Sequence, residues 1–269
     1  MRRLLAAAAL CAAASCQPAK QAPPRAAAPK VVPPAPAVPP PPPPPDPAQV
    51  SRDSLEAARA RRLAIAQAEQ RPEPDTAAIA AEAQSCAADA RRSWMAQLPE
   101  AAQRDRMQAR ERVGAAGAEA LYLEAVCAAT AARMQGFTPL IERQAELAAS
   151  LRRVAQLAPD LDGAGAEREL GALRAALPTY AGGDLDEARD HLLAAVRRAP
   201  QDPRNHLVLA RTVAVKAQDR ALFREHLEMV LGLGDGAASA QAEALLQRED
   251  ELFGPKGEAA QPIPGGPQR

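Results

Sequence analysis

Between Gly183 and Pro200 the chain reads GDLDEARDHLLAAVRRAP. Ala188, Leu192 and Ala195 fall on one face of a helix, and charged residues take the other faces. Small residues on either side of a bulky one let a second helix come close, while the leucine fills the gap between the backbones. Asp184 at the N-cap and Glu187 three residues on form an acidic analogue of the capping box, and Pro200 follows the last turn. The same reading extends along the chain from about Val50. Leu55, Ala58, Leu63, Ile65 and Ala66 place a helix over Ser51 to Gln70. Asp75 caps a second that runs to about Gln97, before Pro99. A third stretch starts near Glu100 and is interrupted around Gly114 to Gly117. Helix resumes over Ala118 to Met134 with Leu121, Ala125 and Ala128 as its apolar stripe, and Gly136 suits a C-terminal cap. Thr138 as N-cap and Pro139 in the first turn restart the helix, which runs to about Leu157. The next begins near Glu167 and is limited by Pro178. Beyond Pro200, Pro203 opens a helix to about Val215, Asp219 caps one to about Leu231, and Ala237 to Phe253 forms the last.

The small–bulky–small–proline offsets of Ala188, Leu192, Ala195 and Pro200 resemble the second helix of a tetratricopeptide repeat. The endings LAPD at Leu157 to Asp160 and APQD at Ala199 to Asp202 recur about forty residues apart. Leu151 and Val154 stand before Pro159 as Leu192 and Ala195 stand before Pro200. We read a weak internal repeat of helical hairpins. One such helix cannot bury its apolar face alone, so neighbours must stack. The expected fold class is all-α, an irregular tetratricopeptide-like α-solenoid or helical-hairpin bundle behind a disordered N-terminal tether.

The first residues are of a different kind. Met1-Arg2-Arg3 is positive, and Leu4 to Ser15 is apolar but too short to span a bilayer. Together they fit a signal peptide over residues 1–15. Ala13-Ala14-Ser15 before Cys16 resembles a lipobox, which makes Cys16 the expected lipidated N-terminus. Cys11 is the weaker candidate because bulky Leu10 precedes it. Gln17 is not the aspartate that holds enteric lipoproteins in the inner membrane. The expected place is therefore the periplasmic side of the outer membrane of a Gram-negative envelope, with the lipid as the sole membrane contact. Residues 16–48 then form a Pro/Ala linker with unbroken proline from Pro39 to Pro45. Without N–H donors it favours polyproline II, and thirty residues would span about 90 Å. The helical domain is expected over residues 49–254 and a Gly/Pro-rich disordered tail over 255–269.

Composition narrows the chemistry. Aromatic residues make up 2% of the 269-residue chain, and the formal net charge is +0, which argues against a nucleic-acid partner. After processing, Cys86 and Cys127 remain. They are read either as a disulfide, suited to an oxidising compartment, or as two buried thiols. His191, His206 and His226 show no short metal-ligand spacing, so no metal and no cofactor is expected. Asp184, Asp186 and Glu187 are explained by capping and the helix dipole. With no nucleophile or phosphate-loop motif, the expectation is a protein that is not an enzyme. Trp94, the single tryptophan, is read as core.

Several blocks stand in order along the chain: EALYLEAVCAATAARMQGF from Glu119, LAPDLDGAG from Leu157, LPTYAGGDLDEARDHLLAAVRRAP from Leu177, LARTVAVKAQDRALFREHLEMVL from Leu209 and ALLQREDELF from Ala244. As a set they resemble the T-component lipoproteins (TatT) of TRAP, tripartite ATP-independent periplasmic, transporters. The resemblance implies a periplasmic helical-repeat lipoprotein without catalysis that associates with a solute-binding component. Some members form trimers with a central pore, so a homo-oligomer is implied as well. The leading expectation is a protein-binding scaffold accessory to a TRAP-type uptake system. The alternative is a general envelope-assembly or cell-wall-associated repeat lipoprotein unrelated to transport. Labelling cells with a palmitate analogue tests the anchor: incorporation is expected in the wild type and should vanish in Cys16→Ala.

Overall fold

The structure, a computed structural model, describes residues 44–254. The expected signal peptide, the Cys16 lipidation site, most of the proline linker and the C-terminal tail lie outside the described residues. Among the described residues all regular structure is helical.

Asp46 accepts a hydrogen bond from the Ala48 N–H and opens α1, Pro47–Glu69. The helix thus begins two residues inside the expected linker, because proline at the first helical position has no N–H to lose. Asp75 caps α2, Thr76–Ala96, through the Ala78 N–H. The third stretch is less regular than expected. A 3₁₀ turn at Glu100–Arg104 leads to the short helix α3, Arg106–Glu111, and a second 3₁₀ turn at Ala115–Gly117. Then come α4, Ala118–Gln135, and α5, Phe137–Leu157.

Thr138 does not cap α5. Gly136 (φ 120°, ψ −168°) both ends α4 and precedes α5, so Thr138 lies within the first turn with no side-chain cap bond. The glycine can take a backbone conformation closed to threonine, which moves the helix start two residues earlier. Helix α6, Gly165–Ala176, follows a tight loop in which Asp162, Gly163 and Ala164 all have positive φ.

Asp184 caps α7, Leu185–Arg198, by accepting from the Glu187 N–H at 2.9 Å. The reciprocal half of the box is replaced: the Asp184 N–H donates to the Arg174 carbonyl, and the Glu187 carboxylate pairs with Arg174 Nε at 3.0 Å. The helix opened by Pro203 is α-helical as α8, Pro203–Leu209, and then widens to a π turn over Ala210–Ala214. Asp219 caps α9, Arg220–Leu233, through the Leu222 N–H. The expected final helix is two, α10 (Gly236–Gln247) and α11 (Glu249–Phe253), broken at Arg248.

Packing passes from helix to helix along the chain: α1 on α2, α2 on α4, α4 on α5, α5 on α6, α6 on α7, α7 on α8, α8 on α9 and α9 on α10. Helix α4 is the most enclosed. Every residue from Ala120 to Ala132 is buried. Cys127 within it is disulfide-bonded to Cys86 of α2, with the Cα atoms 5.9 Å apart. Of the repeat residues, Ala188, Leu192 and Ala195 are buried, and Pro200 is exposed just past the end of α7. Leu192 joins Ala175, Ala188, Val208, Leu209 and Val213 in one apolar cluster. Opposite it, Gly171 on α6 leaves no room for a side chain, since a Cβ there would lie 2.9 Å from the Ala188 carbonyl oxygen.

Leu192→Ala should therefore lower the free energy of unfolding by about 2–5 kcal/mol, as a leucine-sized hole forms in a seam that cannot close over it. Urea melts read this directly.

Candidate functional site

An open cleft of about 610 Å³ lies between the C-terminal end of α1 and the N-terminal ends of α8 and α10. Its walls carry Gln70 after α1, Gln201 to Val208 around the start of α8, Arg211 from the π turn, and Asp235 to Gln241 at the start of α10. Elements far apart in sequence thus meet at one surface.

The α8 wall is set by a polar network. Asp162, held in its left-handed loop, accepts from the Tyr122 hydroxyl and from Arg168 Nη2, both at 2.6 Å, and from Arg204 Nη1 at 2.7 Å. Burial alone would raise its pKa. The Tyr122 hydroxyl and the two guanidiniums outweigh that and hold the carboxyl below its ordinary range. Burial pushes the Tyr122 phenol up, so the hydroxyl stays a donor. Arg168 also reaches Asn205 Oδ1 at 3.0 Å, and the Asn205 amide donates to the carbonyls of Gly163, Ala195 and Ala199. Arg204 pairs with Asp202 at 2.6 Å. Together these bonds tie α4, the loop before α6, α6 and the start of α8 into one arrangement.

A fully buried acid sits deeper. Glu124 of α4 accepts from Trp94 Nε1 at 2.6 Å and from Arg91 at 2.7 Å, with Arg110 3.6 Å away. Trp94 is 1% exposed and belongs to the core. Arg110 also meets Glu146 of α5. These contacts hold α2, α3, α4 and α5 to one another.

The histidines lie apart from the cleft. His191 Nδ1 is 2.6 Å from Glu167 Oε2, joining α7 to α6. That hydrogen bond, with the Glu167 charge, raises the His191 pKa and lowers that of Glu167. His206 and His226 bring their Nδ1 atoms to 2.8 Å between α8 and α9. His206 Nε2 lies 3.0 Å from the Pro200 carbonyl, which can only accept, so the tautomer that satisfies both contacts donates Nε2–H to Pro200 and accepts at Nδ1 from His226 Nδ1–H. Burial, and then His206 beside it, lowers the His226 pKa. Among the described residues no group of three or more His, Cys, Asp or Glu could hold a metal ion. No helix of the described residues is long and apolar enough to cross a membrane.

Of the residues read from the sequence, Pro203 and the Gln201–Asp202 end of the APQD run line the cleft, and none of the candidate site residues within the described part does. Asp184, Glu187 and Asp219 act at helix starts, Ala188, Leu192 and Ala195 pack a seam, and Cys86 and Cys127 bridge two helices. Sequence reasoning did not find Asp162, Arg168, Asn205 or Arg211. The LDG run at Leu161 to Gly163 was the one signal for a tight loop, and it did not mark which arginines would converge there.

A family model described as TRAP transporter T-component matches residues 52–253. No curated protein matches the sequence.

The two histidine environments give opposite dependences on pH. The His191 pKa is raised in the fold, so its contribution is full below about 6.5, the unfolded value, and is lost as pH rises through the folded pKa. The His226 pKa is lowered, so its contribution is present above about 6.5 and fades as pH falls toward the folded pKa. Urea melts between pH 5 and 8.5 should show His191→Gln flattening the alkaline decline and His226→Gln flattening the acid one.

Proposed function

The chain belongs to the TRAP transporter T-component family, and from that premise we propose that it is a non-enzymatic periplasmic scaffold, lipid-anchored at Cys16, that docks the solute-binding component of a TRAP-type uptake system. The family match over residues 52–253 carries this reading, and it makes the protein an accessory of TRAP transport. Two structural features support the finer role. The body is built of helices that pack serially, so it offers several helix faces and ends to a partner at once. The cleft of about 610 Å³ opens outward between the first helix and the later ones, a shape suited to receiving part of another molecule.

The proline-rich residues 16–48 would serve as a stand-off between anchor and body. A partner diffusing in the periplasm would then meet the helical domain at a distance from the membrane. Interfaces of this transient kind are polar at the rim, in keeping with the mixed-charge surface of the helices.

Crosslinking in the native envelope, followed by pulldown of this chain, tests the role. Recovery of a solute-binding protein is the expected result. Recovery of cell-wall or outer-membrane assembly proteins in its place, under conditions that induce uptake, would overturn it.

A further inference from the structure

We propose that Arg211 is the anchor of a carboxylate-binding subsite in the cleft between α1, α8 and α10. The proposal does not depend on which protein docks.

Three observations carry it. First, Arg211 lines the cleft and has no hydrogen-bond or ion-pair partner among the described residues. The neighbouring arginines are all engaged: Arg204 by Asp162 and Asp202, Arg168 by Asp162 and Asn205. The cleft is open, so the residue is exposed, yet protein surrounds the guanidinium on several sides. That partial burial lowers its pKa, and the positive charges of Arg133 and Arg168 add to the effect. Glu169 and Glu69 oppose it from beyond ion-pair distance. The charged form is therefore held in surroundings that an incoming anion would improve.

Second, Arg211 stands in the π turn Ala210–Ala214. A π turn sacrifices regular hydrogen bonding and re-aims its side chains, and such turns are frequent at binding sites. Here the turn keeps Ala210, Val213 and Ala214 buried while Arg211 meets the cleft. Thr212 Oγ1 in the same turn donates to the Val208 carbonyl at 2.5 Å.

Third, the remaining polar lining offers further donors to an oxyanion. The side-chain amides of Gln70, Gln201 and Gln241 reach the same cleft and make no hydrogen bond within the described residues. Of the two acids there, Asp202 is neutralised by Arg204, and Asp235 caps α10 through the Ala238 N–H. A guanidinium presents two parallel N–H donors, which match the two oxygens of a carboxylate. A small organic acid and an acidic side chain of a protein both carry that group.

The test uses the full mature chain labelled with nitrogen-15. The Arg211 Nε–H resonance, assigned by its loss in Arg211→Gln, is followed during titration with succinate, with a glutamate-rich peptide, and with succinamide or sodium chloride at matched ionic strength. A saturable shift with succinate supports a free acid as the source, and one with the peptide alone supports a partner side chain. Binding to the variants is read from the backbone amide shifts of the cleft residues Gln201 and Ala238 in the same titrations, and Arg211→Gln should weaken it by about tenfold or more, roughly 1.4 kcal/mol. Arg197→Gln, a surface change on α7, should leave it intact. Thermal melts of both variants confirm that each is folded. A linear response, the same response to chloride, or undiminished binding by folded Arg211→Gln would overturn the assignment.

Discussion

Alanine has little with which to fill space, and this fold is lined with it. Burying a methylene-sized group is worth about 0.8 kcal/mol, so an alanine-faced helix gains little from any one contact. It gains by proximity: without bulky side chains, backbones approach, and each helix can be enclosed by several others. Helix α4 shows the outcome, buried without a break from Ala120 to Ala132. The same constraint explains why a few large residues matter so much. Leu192, Trp94 and Phe223 are almost fully buried among these small residues.

Close packing of small residues does little to fix how one helix slides on the next, and polar groups wholly or partly buried between the helices supply that. Asp162 accepts hydrogen bonds from a tyrosine and two arginines that come from three separate parts of the chain. Glu124 plays the corresponding part between α2 and α4 through Trp94 and Arg91. Such groups are costly to bury, and they are tolerated only in the arrangement that satisfies them all. They therefore select one register among many that alanine faces would permit. The cleft inherits its shape from this selection, because Arg204 and Asn205 at the start of α8 are among the selected groups.

Much of the helical layout was legible in the sequence, since it follows from local rules. Asp75, Asp184 and Asp219 mark helix starts by the geometry of a side chain reaching a nearby N–H, and the Ala188–Leu192–Ala195 stripe marks a buried face. The errors came where a local rule had a competitor. Gly136 outbid Thr138 for the start of α5 because it can adopt a positive φ. Arg248 broke the last helix with no glycine or proline to announce it. The candidate site was not legible at all. Arg211 sits in a run, LARTVAVKA, whose periodicity reads as ordinary helix, and nothing local indicates a π turn. Its neighbours in the cleft come from positions near 70, 200 and 240, which only the assembled chain brings together.

The bond between Cys86 and Cys127 has a consequence for how this protein can change over time. It fastens α2 to α4 on either side of the two 3₁₀ turns and α3. Because the enclosing helices are covalently joined, their pairing does not depend on the intervening 100–117 segment finding any one conformation. The exposed positions of that segment, Arg104 to Gln108 among them, are where lineages could recolour the surface at least cost, while Ala109, Arg110 and Val113 keep it seated and the helices it connects stay held to their present alignment.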